Sequence, residues 1–264
     1  MTEISEAEPA PQAFRQRRYE VPPGATDLLL VRHGASAAYI DGKPFALADG
    51  HGDPPLSPEG VIQARRVCQR LATLGVDAIY VSNLRRTAET AALLAQTLGL
   101  QPQEDADLRE VYLGEWEGGI LRKMVADGHP ISLRVGAEER WDVIPGAEPA
   151  AAFAGRVRAA VERMATAHAG ARVVAFTHGG VIGAALAQAS GSRPFAFLGA
   201  ENTSISRLVI VGGRWIVRGF NDTAHLDDTA HLDGTAHLDV PAHPDVPAHL
   251  DGPGSPGVAG GPGG

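Results

Sequence analysis

Two short, mostly apolar segments of this chain each end in a His-Gly pair. Residues 28–31 lead into Arg32-His33-Gly34, and residues 172–176 lead into Thr177-His178-Gly179. A cation and an imidazole are costly to hold beside a buried strand unless they are used, because charge is disfavoured near a low-dielectric core. Both segments are therefore predicted to be buried strands whose ends carry functional side chains.

Strand-like and helix-like segments alternate along the rest of the chain. Strands are predicted at 27–31, 77–81 and 172–176, with a hairpin of 204–211 and 214–220 across Gly212-Gly213, and helices at 57–74, 83–98, 148–169 and 179–189. Ser57 and Pro58 supply a start signal for the first helix. Ser82 or Asn83 is expected to cap the second, which ends at Gly99. Residues 118–146 are a loop-rich insertion with some helical character. The alternation predicts an α/β domain with a mostly parallel central sheet.

Composition and charge exclude several classes of function. Residues 222–264 hold seven Asp and no Lys or Arg, so the formal net charge of −8 becomes −1 for residues 1–221. That nearly neutral part has no excess of positive charge with which to bind nucleic acid. No apolar stretch is long enough for a membrane span. A single cysteine, Cys68, fits a reducing compartment. With no signal-peptide pattern near the N-terminus, a cytoplasmic location is expected.

The chain divides into three predicted segments. Its 264 residues, 44% of them hydrophobic, suit a disordered leader over 1–24, one α/β domain over 25–222 and a disordered tail over 223–264. The tail contains five hexapeptide units between residues 223 and 252, each with one histidine, and then a Gly/Pro run. No unit has enough apolar side chains for a core. A solvated tail is the favoured interpretation, and weak binding of transition metals is the alternative.

Polar side chains gather at one edge of the predicted sheet. In an open parallel sheet, ligands bind outside the carboxyl ends of the strands. Arg32, His33, His178 and either Arg85 or Arg86 follow such ends. These groups would repel one another without a counter-charge, and the helix N-termini behind them add N–H donors for an anion. A dianionic phosphate fits best, because arginine presents paired donors that match phosphate oxygens.

Five motifs in chain order resemble those of the histidine phosphatase superfamily, also called the phosphoglycerate mutase-like family. They are Leu30-Val31-Arg32-His33-Gly34, Leu56-Ser57-Pro58-Glu59-Gly60, residues 82–91, Leu108-Arg109-Glu110 with Gly114-Glu115-Trp116-Glu117-Gly118, and Thr177-His178-Gly179. The resemblance spans about residues 27–226. It implies a three-layer sandwich in which helices flank both faces of the mostly parallel sheet.

The resemblance also implies a role for each polar group at the sheet edge. His33 would attack phosphorus and become phosphohistidine, and Arg32 would bind the phosphoryl oxygens. The family pattern Ser-x-Leu-x-Arg selects Arg86 rather than Arg85 as the second phosphate-binding arginine. His178 would bind the phosphate and stabilise the transition state. No metal or other cofactor is implied, because the arginines supply the charge that Mg²⁺ supplies elsewhere.

The acid and one departure from the family complete the expected site. Glu110 would protonate the leaving oxygen and then activate water. Many relatives have Asn six positions after the nucleophilic histidine, where this chain has Tyr39. Backbone amides or Ser36 are the candidates to replace that phosphate donor.

The favoured function is a metal-independent phosphatase acting on a small phosphorylated metabolite. A phosphoglycerate mutase-type phosphotransferase is the first alternative. It ranks second because related mutases follow the acid with Arg-His-Tyr-Gly, where this chain has Val111-Tyr112-Leu113-Gly114. A non-catalytic relative that binds phosphorylated ligands is the second alternative. No nucleic-acid or membrane partner is expected, and the oligomeric state stays open, a dimer included. Substrate choice would depend on loops 35–55 and 118–146.

Overall fold

The computed structural model describes residues 15–227. Its strands are β1 (Thr26–Arg32), β2 (Leu47–Ala48), β3 (His51–Gly52), β4 (Ala78–Val81), β5 (Gln103–Glu104), β6 (Arg172–Thr177), β7 (Ile205–Val211) and β8 (Arg214–Asp222). The central sheet has the order β5-β4-β6-β1-β7-β8, and β2 and β3 form a separate hairpin. β5, β4, β6 and β1 pair in parallel, whereas β7 and β8 run antiparallel. The predicted mostly parallel sheet is confirmed.

Helices cover both faces of this sheet. They are α1 (Pro58–Leu71), α2 (Arg85–Leu98), α3 (Ile120–Ala126), α4 (Pro130–Glu138), α5 (Ala150–Ala167) and α6 (Gly179–Ser190), with 3-10 turns at Ala106–Leu108, Gly114–Trp116 and Trp141–Val143. Successive strand residues point to opposite faces. Leu28 and Leu30 therefore pack in one core with α5 and α6, and Leu29 and Val31 pack in another with α1 and α2. The three-layer sandwich is confirmed.

The helix ends follow the sequence signals with one exception. Ser57 accepts a hydrogen bond from the Gly60 N–H at 3.1 Å, with Pro58 in the first helical position, and Gly99 ends α2 in the left-handed conformation. The predicted cap of α2 is wrong. Leu84 holds that position with no side-chain cap, and α2 begins two residues later than predicted. The Ser82 hydroxyl accepts a hydrogen bond from the Leu84 N–H at 3.3 Å and also contacts Thr87 and His178.

The ends of the chain lie mostly outside the described residues. Most of the predicted leader, 1–14, and most of the predicted tail, 228–264, fall there, so the three-segment organisation stays a prediction. Among the helices of the described range, none combines the length and apolar composition that a membrane-spanning helix needs.

Candidate active site

Three adjacent strands deliver polar side chains to one edge of the sheet. β6 lies between β4 and β1, so His178, which follows β6, lies between Ser82 and His33. The ring centroids of His33 and His178 are 5.1 Å apart. The Arg86 guanidinium lies 3.2 Å from Nδ1 of His178. The structure therefore brings together three of the residues that the sequence placed at the site.

His33 presents one ring nitrogen to this cluster. The side chain is buried, and its Nδ1 lies 2.8 Å from the carbonyl oxygen of Gly34. A carbonyl oxygen only accepts, so Nδ1 carries the proton and donates it. Nε2 of the neutral ring therefore keeps its lone pair, which is the arrangement that an attacking imidazole needs.

His178 and Arg86 orient each other. Arg86 donates from Nη2 to Nδ1 of His178 and from Nη1 to the carbonyl oxygen of Gly52 at 2.8 Å. Because arginine only donates, Nδ1 of His178 is the acceptor and Nε2 of the neutral ring carries the hydrogen. That Nε2 lies 2.9 Å from Oγ of Ser82. The β2–β3 hairpin thus positions Arg86 through Gly52, a contact that the sequence did not reveal.

A loop before β7 holds the end of β1. Asn202 donates from its side chain to the carbonyl oxygen of His33 at 2.8 Å, and the Thr203 N–H donates to that of Arg32 at 3.0 Å. The Arg32 guanidinium donates to the carbonyl oxygen of Ala200 at 2.7 Å. The backbone of Arg32 and His33 is therefore fixed from the β7 side of the sheet.

Glu110 is tied to the same helix end as His178. Its carboxylate accepts hydrogen bonds from the N–H groups of Val111 at 2.9 Å and Gly180 at 3.1 Å. Gly180 lies in the first turn of α6, which starts directly after His178. A Cβ on Gly180 would overlap the Glu110 carboxylate. The absence of a side chain at residue 180 thus leaves room for the Glu110 carboxylate at the start of α6.

Arg156 holds the segment that carries Glu110, and sequence reasoning missed it. Its guanidinium donates to the carbonyl oxygens of Asp107, Arg109 and Glu110 at 2.7–2.8 Å. It also pairs with Glu148 at 2.8 Å. An arginine on α5 that recognises backbone carbonyls leaves no signature in residue spacing. The role of Arg156 becomes visible only in the folded structure, where residues far apart in the sequence come into contact.

The loop after His33 is covered by Arg122. Its guanidinium donates to Oγ of Ser36 and to the carbonyl oxygen of Ala37, each at 2.7 Å, and lies 5.4 Å from the ring centroid of Phe45. Tyr39 packs edge-on against the same Phe45 ring. Tyr39 is thus part of the loop packing, and Ser36 engages a guanidinium.

Burial and neighbouring charge set the ionisation of the site. Burial, and then the charges of Arg86 and Arg32, hold the pKa of His33 well below 6.5. Burial and the charge of Arg86 also hold the pKa of His178 well below that value. Burial lowers the pKa of Arg86 to about 10, so it stays charged at neutral pH. Two neutral imidazoles beside charged guanidiniums make a site that favours an anion. Within residues 15–227, no group of three or more His, Cys, Asp or Glu side chains is arranged to hold a metal ion.

These lowered pKa values predict how the stability of the fold depends on pH. The unfolded chain binds protons at His33 and His178 more tightly than the folded one, so the free energy of unfolding falls as pH drops below about 6.5. Each histidine contributes a slope of up to about 1.4 kcal/mol per pH unit. Urea unfolding at pH values from about 7.5 down to about 5.5 measures this slope. His33→Ala is expected to remove one such contribution, and equal slopes for variant and wild type would contradict the prediction.

Fold and site together define a histidine phosphatase-type domain. Residues 28–223 match the model of the histidine phosphatase superfamily (branch 1). The chain therefore belongs to that superfamily, and the resemblance seen in its motifs is confirmed.

The names of similar proteins include a mutase-like protein, a probable mutase and a phosphatase. The chain is 32% identical over 208 residues to phosphoglycerate mutase-like protein 4 of Arabidopsis thaliana, covering 76% of this chain and 87% of the relative. It is 30% identical over 217 residues to the probable phosphoglycerate mutase GpmB of Yersinia enterocolitica, covering 76% and 94%. Among solved structures, a mycobacterial glucosyl-3-phosphoglycerate phosphatase superposes with a TM-score of 0.64 at 28% identity, covering 75% of this chain and 100% of the other.

Proposed function

We propose that this protein is a phosphatase that hydrolyses phosphomonoesters through a phosphohistidine on His33, without a metal. The observation that supports this most is the buried His33 ring, whose Nδ1–H is bound to the Gly34 carbonyl. Its Nε2 therefore keeps the lone pair, and the ring centroid lies 5.1 Å from that of His178. A neutral imidazole among fixed cations is a nucleophile beside a ready-made phosphate clamp.

The proposed reaction has two displacements at phosphorus. In the first, Nε2 of His33 forms a bond to phosphorus while the ester P–O bond breaks, and protonated Glu110 gives its proton to the leaving oxygen. In the second, Glu110 takes a proton from water, the water oxygen bonds to phosphorus, and the N–P bond breaks. Inorganic phosphate and the free imidazole result, and Glu110 is protonated again. Each step is easier than a single direct attack by water.

The rest of the proposed machinery is electrostatic. The transferred phosphoryl group passes through a loose transition state with negative charge on its equatorial oxygens. Arg32 and Arg86 are proposed to bind those oxygens directly, and His178 is proposed to join them by exchanging its Nε2–H bond to Ser82 for one to phosphate. Because the surrounding structure already holds the two arginines in place, little reorganisation is needed there when the charge develops.

A mutase is the second candidate, because one relative is named a phosphoglycerate mutase-like protein and another a probable phosphoglycerate mutase. A mutase must keep its phosphohistidine from water until the group returns to substrate. Two assays distinguish these functions. The first measures isomerisation of 3-phosphoglycerate in the presence of a bisphosphate primer. The second measures phosphate release from a panel of phosphomonoesters across pH. Phosphate release well above isomerisation is expected, and the reverse would overturn the proposal.

A cavity of about 380 Å³ is lined by Val111 and Gly180, whose N–H groups bind the Glu110 carboxylate, and we propose that it bears on the choice of substrate. It extends from Val111 and Gly180 to Trp141, Phe153 and Phe195. Three aromatic side chains suit an apolar or ring-bearing leaving group. The panel should therefore contain both aryl and polar alkyl phosphates.

Arg122 is expected to bind a second anionic group of the substrate. Arg122→Gln should raise KM about fivefold for esters with such a group and leave kcat within about twofold, because one charged contact is lost without change at phosphorus. It should also move the acidic limb of kcat/KM to higher pH, since the charge of Arg122 lowers the pKa of His33. Steady-state kinetics measure both effects, and Arg122→Lys should partly restore the pH profile.

The matched control for Arg122 is Arg134→Gln. Arg134 is an exposed arginine of the same insertion and pairs with Glu138 at 2.8 Å. Its loss should leave KM and the pH profile unchanged. A rise in KM that is the same for both variants, or the same for esters without a second anion, would contradict the assignment.

A further inference from the structure

The residues that follow β8 fold back onto α1. Asp222 pairs with Arg70, and its Oδ1 accepts a hydrogen bond from the Ala224 N–H at 3.1 Å. Leu226 lies four residues after Asp222, and its carbonyl oxygen accepts a hydrogen bond from Nη1 of Arg66 at 2.7 Å. Residues 222–227, here called the first unit, are thus seated on two arginines of α1.

The same segment also contacts the loop that holds the end of β1. His225 is half-buried, and its Nε2 lies 3.4 Å from Oγ1 of Thr203. Thr203 has a positive φ of 58° and donates its N–H to the carbonyl oxygen of Arg32. The docking surface formed by Arg66, Arg70 and Thr203 therefore adjoins the backbone of the catalytic cluster.

The chain contains a second copy of what this surface binds. Residues 228–233 read Asp-Thr-Ala-His-Leu-Asp, identical to residues 222–227 at all six positions. The next unit has the same Thr-Ala-His-Leu-Asp core but follows Gly234, so it lacks the leading aspartate that pairs with Arg70. In the same frame, residues 240–245 and 246–251 both begin with Val-Pro. Residues 228–233, the second unit, are therefore the one segment that repeats every side chain of the first.

We infer that the second unit is an alternative ligand for the docking surface within the same chain. Each of these contacts uses a main-chain group or a side chain that the second unit supplies at the equivalent position. The first unit is favoured while it is intact, because the second must close a loop of six additional residues. That entropic cost grows slowly with loop length, so the second unit takes over once the first is damaged. This inference does not rest on the proposed function.

Four full-length proteins test the inference by thermal unfolding. They are the wild type, a first-unit variant with Asp222→Ala and His225→Ala, a second-unit variant with Asp228→Ala and His231→Ala, and the combined variant. The second-unit variant should unfold at the wild-type midpoint and the first-unit variant slightly below it. The combined variant should fall by about 4 °C or more, beyond the sum of the two separate shifts. Hydrogen exchange at the Thr203 amide should follow the same order.

A single substitution sharpens the test. Asp228→Ala in the first-unit variant should reproduce the loss of the combined variant, because Asp222 is already absent there and Asp228 is the aspartate at the equivalent position that could pair with Arg70. Asp245→Ala in the same background, in a later unit, should change nothing. A first-unit variant as unstable as the combined one, or a combined variant as stable as wild type, would overturn the inference. The inference would also be overturned if the stability that the second unit provides in the first-unit variant were lost on dilution. That result would mean that the second unit binds to another copy of the chain.

Discussion

Replacement of His33 by alanine is expected to lower kcat for phosphomonoesters by about 10⁴- to 10⁶-fold. The variant has no Nε2 lone pair to bond to phosphorus, so no phosphoenzyme forms. The phosphate clamp of Arg32, Arg86 and His178 stays in place, and phosphate should still bind. Loss of turnover with retained binding is the result expected for a nucleophile, since removal of a binding group would raise KM as well.

Trapping of the intermediate measures this directly. Wild-type protein, incubated with a labelled phosphomonoester and quenched in base, should carry acid-labile label, and His33→Ala should carry none. His168→Ala is the matched control, because His168 is a histidine remote from the cluster, bound to the Tyr80 hydroxyl at 3.0 Å. Label on the His33→Ala protein would contradict the proposed nucleophile. Equal inactivity of wild type and variant across the panel, with phosphate bound by both, would favour a binding function.

The sequence was sufficient to predict which polar residues lie at the edge of the sheet, because that prediction depends on local features. A buried strand, a polar residue at its end and a helix start are each visible within about ten residues. The convergence of His33, His178 and Arg86 then followed from the rule that parallel strands share one edge. Arg85 and Arg86 could not be separated by periodicity, and only the family motif distinguished them. In the structure Arg86 is buried in the cluster, whereas Arg85 is exposed and pairs with Glu89.

The contacts that hold the cluster in place were not predictable in the same way. Arg156, Asn202 and Thr203 act on backbone groups that lie 46 or more residues away, through carbonyl oxygens that every residue type offers. Gly52 belongs to a hairpin of two-residue strands, too short to show a period. Ser82 was assigned to a helix cap, its commonest use, whereas its hydroxyl lies beside His178. Residue type specified the chemistry of the site, and tertiary contacts specified its geometry.

Gly180→Ala is expected to lower kcat for alkyl phosphates by about 10²- to 10⁴-fold while the domain remains folded. Alanine suits a helix better than glycine, so the helix itself would favour the change. The new Cβ would nevertheless overlap Oε1 of Glu110. A carboxylate is the free end of a flexible side chain, so it should move aside at little cost and lose its bond to the residue 180 N–H. General acid catalysis is then lost while the nucleophile and clamp are untouched.

The leaving group decides whether this explanation is correct. An alkoxide needs a proton as it departs, whereas 4-nitrophenolate departs readily without one. Gly180→Ala and Glu110→Gln should therefore both lose far more activity against an alkyl phosphate than against 4-nitrophenyl phosphate. Gly155→Ala is the control, because Gly155 also lies within a helix but a Cβ there meets open space. Equal losses on both esters would mean that the substitution disturbs phosphate binding, and the role assigned to Glu110 would then fail. A loss confined to the alkyl ester would instead place the reacting oxygen within reach of the Glu110 carboxyl group.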